Sequence, residues 1–516
     1  MSRFSLAFLF LLLFQLNHLP AQPVWRPAPS PLTTPWTDKV SPQSPLPEYP
    51  RPQMVRHNWV NLNGLWDFLV MDKNTDKIVR QGKILVPYPI ESALSGVGMK
   101  LEPHHILIYK MRFGVPQDWA GERILLHFGA VDWSAEISVN KQKVGSHKGG
   151  YDPFSLDITD FLTGKFGQEL TVQVTDPGSS GGQPVGKQHL EPRSIWYTGS
   201  SGIWQTVWLD PVPKNYIQRL RIEPDLDKER LVGKVETGGE KNDKLKITAR
   251  VIEADRHLSE SSGRHGTPHL LKVPRPHPWT PSDPYLYDLE VLLEDASGKQ
   301  VDRVRSYFGM RKISLGKDEK GFTRLMLNNK FVFQIGPLDQ GFFPDGLYTP
   351  PTEDAMKFDL EALKNMGFNM IRKHVKVEPA RWYHLCDKMG FLVWQDMPSG
   401  LNESEADREQ FRVELKAMVE GLFNHPAIVM WVPFNEGWGQ HDDEQIVQLI
   451  KELDPTRLVN NASGWTDKGF GDVMDIHEYP GPAAPKPEEK RATVLGEFGG
   501  LGLNVAGHQW TTTGWG

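Results

Sequence analysis

Two glutamates stand out because each ends an apolar run that reads as a buried strand. They are Glu436, closing His425-Pro-Ala-Ile-Val-Met-Trp-Val-Pro-Phe-Asn-Glu436, and Glu497, closing Thr493-Val-Leu-Gly-Glu497. A carboxylate at the end of a buried strand costs free energy unless something uses it. Two such groups facing one another could cleave a glycosidic bond. One would deliver a proton to the leaving oxygen while the other faces the oxocarbenium-like carbon. A separation of about 5 to 5.5 Å predicts retention of configuration through a covalent sugar intermediate. One carboxyl must then stay protonated near neutral pH while its partner stays ionised. Trp438, in the loop beyond Glu436, offers a flat ring on which a sugar can stack.

Other polar residues lie close to strand ends. Arg372 closes Asn369-Met-Ile-Arg372, as a cation for a nearby carboxylate or as a surface charge. Asp339 and Asp345, in Leu338-Asp-Gln-Gly-Phe-Phe-Pro-Asp345, follow the first strand of the same region and could bind hydroxyls or simply be solvated. His477 and Glu478 have ligand chemistry, but no His-x-x-x-His or carboxylate cluster at ligand spacing accompanies them, so no metal is expected. No phosphate-cradling glycine loop or serine elbow is found, and no cofactor is expected. Cys386 is the only cysteine and falls in a helical pattern, as a buried structural thiol without a disulfide. Trp394 and Trp431 lie within strands and read as core.

Both glutamates need a scaffold that brings strand ends to one face, and a (β/α)8 barrel does this through its βα loops. From residue 317 to 516 strand and helix alternate. Strands are expected at 331–335, 370–372, 391–395, 428–432, 458–460, 474–477 and 493–497, with helices including 352–366, 405–423 and 442–453. Seven strands favour a barrel over an open sheet, and residues 498–516 carry no helical pattern, so the barrel is expected to stop short of its natural end. Residues 48–213 show short alternating runs between Gly, Pro and Asp turns, the pattern of a β-sandwich, and residues 214–316 read as an immunoglobulin-like sandwich. Residues 22–47 form a proline-rich arm. Residues 1–21, with Arg3 before an apolar run, read as a signal peptide of a secreted or periplasmic protein.

Bulk properties agree with this division. At 516 residues, three domains are expected from a prior of about 150 residues each. The composition is 39% hydrophobic and 24% charged, enough for real cores. A net charge of -6 leaves no basic footprint for nucleic acid. The 17 tryptophans suit a protein that meets sugar faces, although they also fill cores. The opening apolar run is short of the roughly 20 residues that span a bilayer, and no later run has that length.

The segment Asn424-His-Pro-Ala-Ile-Val-Met-Trp-Val-Pro-Phe-Asn-Glu436 resembles the acid/base signature of glycoside hydrolase family 2, which includes β-galactosidases, β-glucuronidases and β-mannosidases. Ser201-Gly-Ile-Trp-Gln-Thr-Val-Trp208, Pro281-Ser-Asp-Pro-Tyr-Leu-Tyr287 and Tyr307-Phe-Gly-Met-Arg311 extend the resemblance over nearly the whole mature chain. It implies a jelly-roll sugar-binding domain, an immunoglobulin-like domain and a (β/α)8 barrel working by retaining double displacement. Glu436 would be the acid/base and Glu497, in Leu495-Gly-Glu-Phe498, the nucleophile. Asn435 would bond the sugar 2-hydroxyl, and Tyr479, in Asp475-Ile-His-Glu-Tyr479, would steady the nucleophile. Arg372 would hold that carboxylate ionised. Lys373-His-Val-Lys376 departs from the family's histidine-tyrosine-proline run, leaving His374 as either structural or sugar-binding.

The expected substrate-binding set is therefore Asn435, Tyr479, Arg372, Trp438, His477, His374, Asp345 and Asp339. The expected function is a secreted exo-β-glycosidase acting on a carbohydrate, with β-galactosidase as the default and β-glucuronidase or β-mannosidase as alternatives. The asparagine and lysine pair of many glucuronidases is not evident. A carbohydrate-binding relative without turnover is the rival from another class.

Overall fold

The computed structural model describes residues 25–164, 167–240 and 244–510. The expected signal peptide, residues 1–21, lies outside them. The first unit is a sandwich of antiparallel sheets. A six-stranded sheet runs, in spatial order, Ile78–Val86, Gly64–Asp72, His105–Phe113, Gln168–Thr175, Ser134–Val139 and Gln142–Lys148. Facing it are Val60–Asn61, Val207–Val212, Arg123–Phe128 and Phe154–Asp157. Burial alternates along Gly64–Asp72 and Gln168–Thr175, because successive side chains in a strand point to opposite faces. Trp66, Val70, Tyr109, Phe128 and Val172 fill the space between the sheets.

A second sandwich pairs a three-stranded sheet (Asn215–Asp225, Arg230–Gly239, His269–Lys272) with a four-stranded one (Arg256–Arg264, Lys246–Glu253, Tyr287–Glu294, Gln300–Phe308). Its core is separate and includes Ile217, Leu231, Ile247, Leu289 and Phe308.

The third unit is built on parallel strands. Leu338–Asp339, Met370–Lys373, Leu392–Asp396, Ile428–Val432 and Leu458–Val459 form one parallel sheet in chain order. Phe434–Asn435 pairs in parallel with Ala462–Ser463, and Val473–Glu478 with Ala492–Phe498. Every residue of the second, third and fourth strands is buried, as expected where helices cover the outside and side chains fill the inside. The helices are Glu353–Asn365, Ala380–Met389, Glu405–Leu422 and Asp443–Leu453. Their starts and stops follow local chemistry. Thr352 caps the first, a Ser404–Asp407 capping box starts the third, and Gly390 ends the second with a left-handed φ of 75°.

One sequence expectation changes here. The apolar run 331–335 is not the first barrel strand. Lys330–Phe331 closes an antiparallel hairpin with Thr323–Leu327, and the first parallel strand is Leu338–Asp339. Phe331, Phe333 and Ile335 are exposed, so a run that looked like barrel core turns alternate side chains to solvent. The described part of the proline-rich arm is tied to the folded units. Ala28 N bonds to Ala93 O, and the hydroxyls of Thr34 and Thr37 donate to the buried carboxylate of Asp345 at 2.7 and 2.5 Å. Among the described residues no helix is long and apolar enough to cross a membrane.

Candidate active site

Glu436 and Glu497 meet at the C-terminal ends of the barrel strands. An oxygen of each carboxylate and a ring nitrogen of His477 lie within 4.8 Å of one another. The backbone that delivers them is locally irregular. Glu436 follows the short strand Phe434–Asn435, with its N–H on Ser463 O and a left-handed φ of 51°. A bulky residue in that region is strained, a cost of order 1–3 kcal/mol that concentrates at functional positions. Glu497 is re-aimed by a bulge: Ile476 lies opposite Leu495, but His477 lies opposite Glu497, with Gly496 as the extra residue. Gly496 N donates to Asp475 Oδ1 at 2.6 Å, and a Cβ at this position would stand only 2.2 Å from the Asp475 carboxylate. Only glycine permits that approach.

Arg372, 2% exposed, organises the floor. Its Nη1 donates to Glu497 Oε1 at 2.8 Å, its Nη2 to Asn435 Oδ1 at 2.8 Å, and its Nε and Nη2 form a bidentate pair with Asp396 at 3.1 and 2.9 Å. Burial alone would push the Glu497 carboxyl up, but the charge of Arg372, with the Tyr479 hydroxyl donating to the same carboxylate, holds it below its ordinary value. The same contest, with Arg372 as the main opposing charge, holds Asp396 low. Tyr479 donates its hydroxyl to Glu497 Oε2, while burial and that carboxylate keep the phenol protonated by raising its pKa.

His477 bridges the two glutamates. Its Nδ1 is 2.8 Å from Glu436 Oε1 and 3.6 Å from Glu497 Oε2. His374 places Nδ1 2.8 Å from Asp396 Oδ2, and burial keeps this imidazole neutral by lowering its pKa. Two buried polar atoms here have no protein partner, Asn435 Nδ2 and His374 Nε2. Buried groups of this kind call for a hydrogen-bonding ligand. Trp438 is half-buried, 5.3 Å from the Trp196 ring and 6.5 Å from the His374 ring.

The Glu436, His477 and Glu497 donors have a spacing that a metal ion could also bridge. Their atoms already serve one another, and Arg372 sets a positive charge against Glu497. The arrangement is thus better suited to moving a proton than to coordinating a cation.

Of the residues expected to line the pocket, Asn435, Tyr479, Arg372, Trp438, His477 and His374 come together around the two glutamates. Asp339 and Asp345 do not. Asp339 pairs with Lys373 at 2.7 Å. The two residues are in register on neighbouring strands, and Lys373 reaches the Trp382 ring and Glu378 on the outer side, opposite Arg372. Asp345 is fully buried and holds the N-terminal arm. His477 touches the carboxylates directly, so its place is beside the reacting groups.

Four residues of the site escaped the sequence reading. Asp396, Ser463 and Asp475 are buried under it. Asp475 and His477 alternate along one strand, a two-residue polar pattern that could have revealed the inward face. Lys187 comes from the first sandwich. Its loop is pinned to the barrel by the amides of Val185 and Gly186, both on Ser399 O at 2.8 and 2.9 Å. Gly186, with φ 64°, approaches Val375 O so closely that a Cβ would lie at 2.5 Å. Lys187 Nζ stands 5.7 Å from the Trp438 ring centroid.

Comparison with known proteins gives the same outline. Residues 83–213 match the sugar binding domain of glycosyl hydrolases family 2, residues 215–311 match glycosyl hydrolases family 2, and residues 351–490 match that family's TIM barrel domain. A β-galactosidase of Thermoanaerobacter pseudethanolicus is 27% identical over 406 residues, 74% of this chain and 53% of the relative. A β-glucuronidase of Bacteroides fragilis is 26% identical over 394 residues, 69% of this chain and 54% of the relative. The chain thus spans about half the length of these relatives. The fold is shared with a β-glucuronidase from Ruminococcus gnavus solved with D-glucaro 1,5-lactone, at TM-score 0.70 and 19% identity over 84% of this chain and 78% of that one. It is also shared with the Bacteroides uniformis β-glucuronidase, at TM-score 0.64 and 22% identity over 81% and 52%. With three successive domains matched in order, the chain belongs to glycosyl hydrolases family 2.

Proposed function

We propose that the protein is a retaining exo-β-glycosidase that removes a terminal β-linked sugar by double displacement. The observation that carries this is the pair of carboxylates with oxygens within 4.8 Å, one of them paired to Arg372 at 2.8 Å. Retaining glycosidases hold their carboxyls about 5 to 5.5 Å apart, whereas inverting ones leave roughly 6.5 to 9.5 Å for a water. Glu497, kept ionised by Arg372, would attack the anomeric carbon as Glu436 protonates the departing oxygen. Glu436 would then take a proton from the water that releases the sugar. Asn435 Nδ2 and His374 Nε2 are the buried polar atoms available to sugar hydroxyls.

A panel of nitrophenyl β-glycosides tests this. Turnover of at least one is expected, abolished by Glu497→Gln with the fold intact. Azide should restore turnover to Glu497→Ala and give an α-glycosyl azide. A Glu497→Gln enzyme with unchanged rate would remove Glu497 as nucleophile, and binding of glycans without any cleavage would leave a carbohydrate-binding protein.

Sequence reading takes a β-galactoside as the default substrate, but one observation favours a uronide. Lys187 is 6% exposed, and among the described residues no carboxylate lies within ion-pair distance of it. Burial lowers its pKa, while the charges of Glu497 and Glu436 pull it back up. An unpaired cation beside the catalytic carboxylates suits a sugar that carries its own negative group.

A further inference from the structure

Behind Glu436 lies a chain of side chains that double displacement does not by itself require. Asp475 is buried and meets only donors. Ser463 Oγ and Asn460 Nδ2 reach its Oδ2 at 2.6 and 2.7 Å, and Gly496 N reaches its Oδ1 at 2.6 Å. A carboxyl surrounded by donors acts as an acceptor. The hydroxyl of Ser463 has one proton, and Asp475 receives it. At 2.8 Å from His477 Nε2, Ser463 Oγ must then accept, so Nε2 carries the ring proton. Arg372 Nη1 has two N–H groups: one donates to Glu497 at 2.8 Å and the other faces this nitrogen only at 3.4 Å, so the shorter Ser463 contact sets the tautomer.

In a neutral ring with the proton on Nε2, Nδ1 offers a lone pair. That lone pair faces Glu436 Oε1 at 2.8 Å. The contact is a hydrogen bond only if a proton lies between the two atoms, which an ionised Glu436 opposite a neutral imidazole cannot provide. Resting on the glycosidase reading above, we propose that Asp475, Ser463 and His477 form a relay that locks the imidazole lone pair toward Glu436 and so keeps the acid/base carboxyl protonated between turnovers. When Glu436 gives its proton to the leaving oxygen, the bond from the anomeric carbon to that oxygen breaks and the bond to Glu497 forms. The carboxylate left behind faces a lone pair instead of a donor, which favours taking the proton back from the attacking water. His477 is thus a positioning residue that acts through Glu436.

The groups facing this pair from all sides are Arg372 and His374 on the second strand, Asp396 on the third, Asp475 and Tyr479 around His477, Glu497 on the last described strand, and Lys187 from the sandwich loop.

The test uses the intact chain with His477→Ala and Ser463→Ala. Because the relay stabilises the protonated acid, the basic limb of kcat/KM should move down by about one pH unit or more in His477→Ala, and by less in Ser463→Ala. The loss in kcat/KM should be larger on glycosides with poor leaving groups than on dinitrophenyl glycosides, whose departure needs no acid. Long-range imidazole 15N spectra should show the Nε2–H tautomer for His477 and its loss in Ser463→Ala. A basic limb that stays in place in both variants, or an Nδ1–H tautomer in the wild type, overturns the relay. If no aryl glycoside is cleaved at all, the glycosidase reading fails and the relay is decided by the spectra alone.

Discussion

Among the described residues, Arg372 is the buried cation paired with both Glu497 and Asp396. Replacing it with methionine leaves both carboxylates in the protein without that partner, and burial then dominates. The Glu497 carboxyl, now held low, should rise, so the acid limb of kcat/KM should move to higher pH and kcat should fall sharply. A carboxyl with a lowered folded pKa contributes stability above its ordinary range, and this is lost as pH falls through the lowered value. Arg372→Met should remove that contribution at neutral pH as well. Breaking a buried pair from one side costs about 3–5 kcal/mol, which denaturant unfolding would measure. An acid limb that stays in place would show that Arg372 does not set the charge on Glu497. Glu436 and Glu497 could be read from sequence because each closes an apolar strand, and Arg372 through its resemblance to the family's strand-two arginine. Asp396 could not, because it stands one residue past a run that reads as complete at Gln395. Ser463 and Asp475 act through other side chains; only the alternation of Asp475 with His477 along one strand hints at this, and Ser463 has no such signal.

At the scale of elements, the helices and most barrel strands were legible because buried parallel strands are continuous apolar runs and helices carry caps such as Thr352 and Ser404. Two features were not. The bulge at Gly496 depends on which residue of the neighbouring strand lies opposite, a matter of register. The run 331–335 has the apolar content of a barrel strand but turns Phe333 outward. The loop carrying Lys187 was equally hidden, because its position depends on how the sandwich docks on Ser399. If this loop selects the sugar, Lys187→Met should lower kcat/KM on a nitrophenyl β-uronide by about 10- to 100-fold, the worth of one charged hydrogen bond. The neutral glycosides of the same panel should change little. An equal loss on both would make Lys187 a packing residue and return the specificity to a neutral sugar.

At the scale of the whole molecule, the barrel core is continued by Ala130, Tyr151 and Trp204 of the first sandwich and by Trp279 of the second unit, and the arm and loops add to these joints. Asp345, expected at the pocket, instead receives Thr34 and Thr37 and so couples the N-terminal arm to the barrel. The seam that matters most is smaller: two adjacent amides, Val185 and Gly186, share the single carbonyl of Ser399. The Lys187 loop is held by this contact and by the Tyr151 hydroxyl on Val185 O at 3.0 Å, which together are weaker than either core. Gentle heating should therefore abolish turnover several degrees before circular dichroism reports loss of barrel helix, and cooling should bring the activity back. Activity and helix content falling together would place the weak point in a core instead. Heat tolerance of catalysis would then be improved by stitching residues 183–188 to residues 399–402, with no change to the interior of any domain.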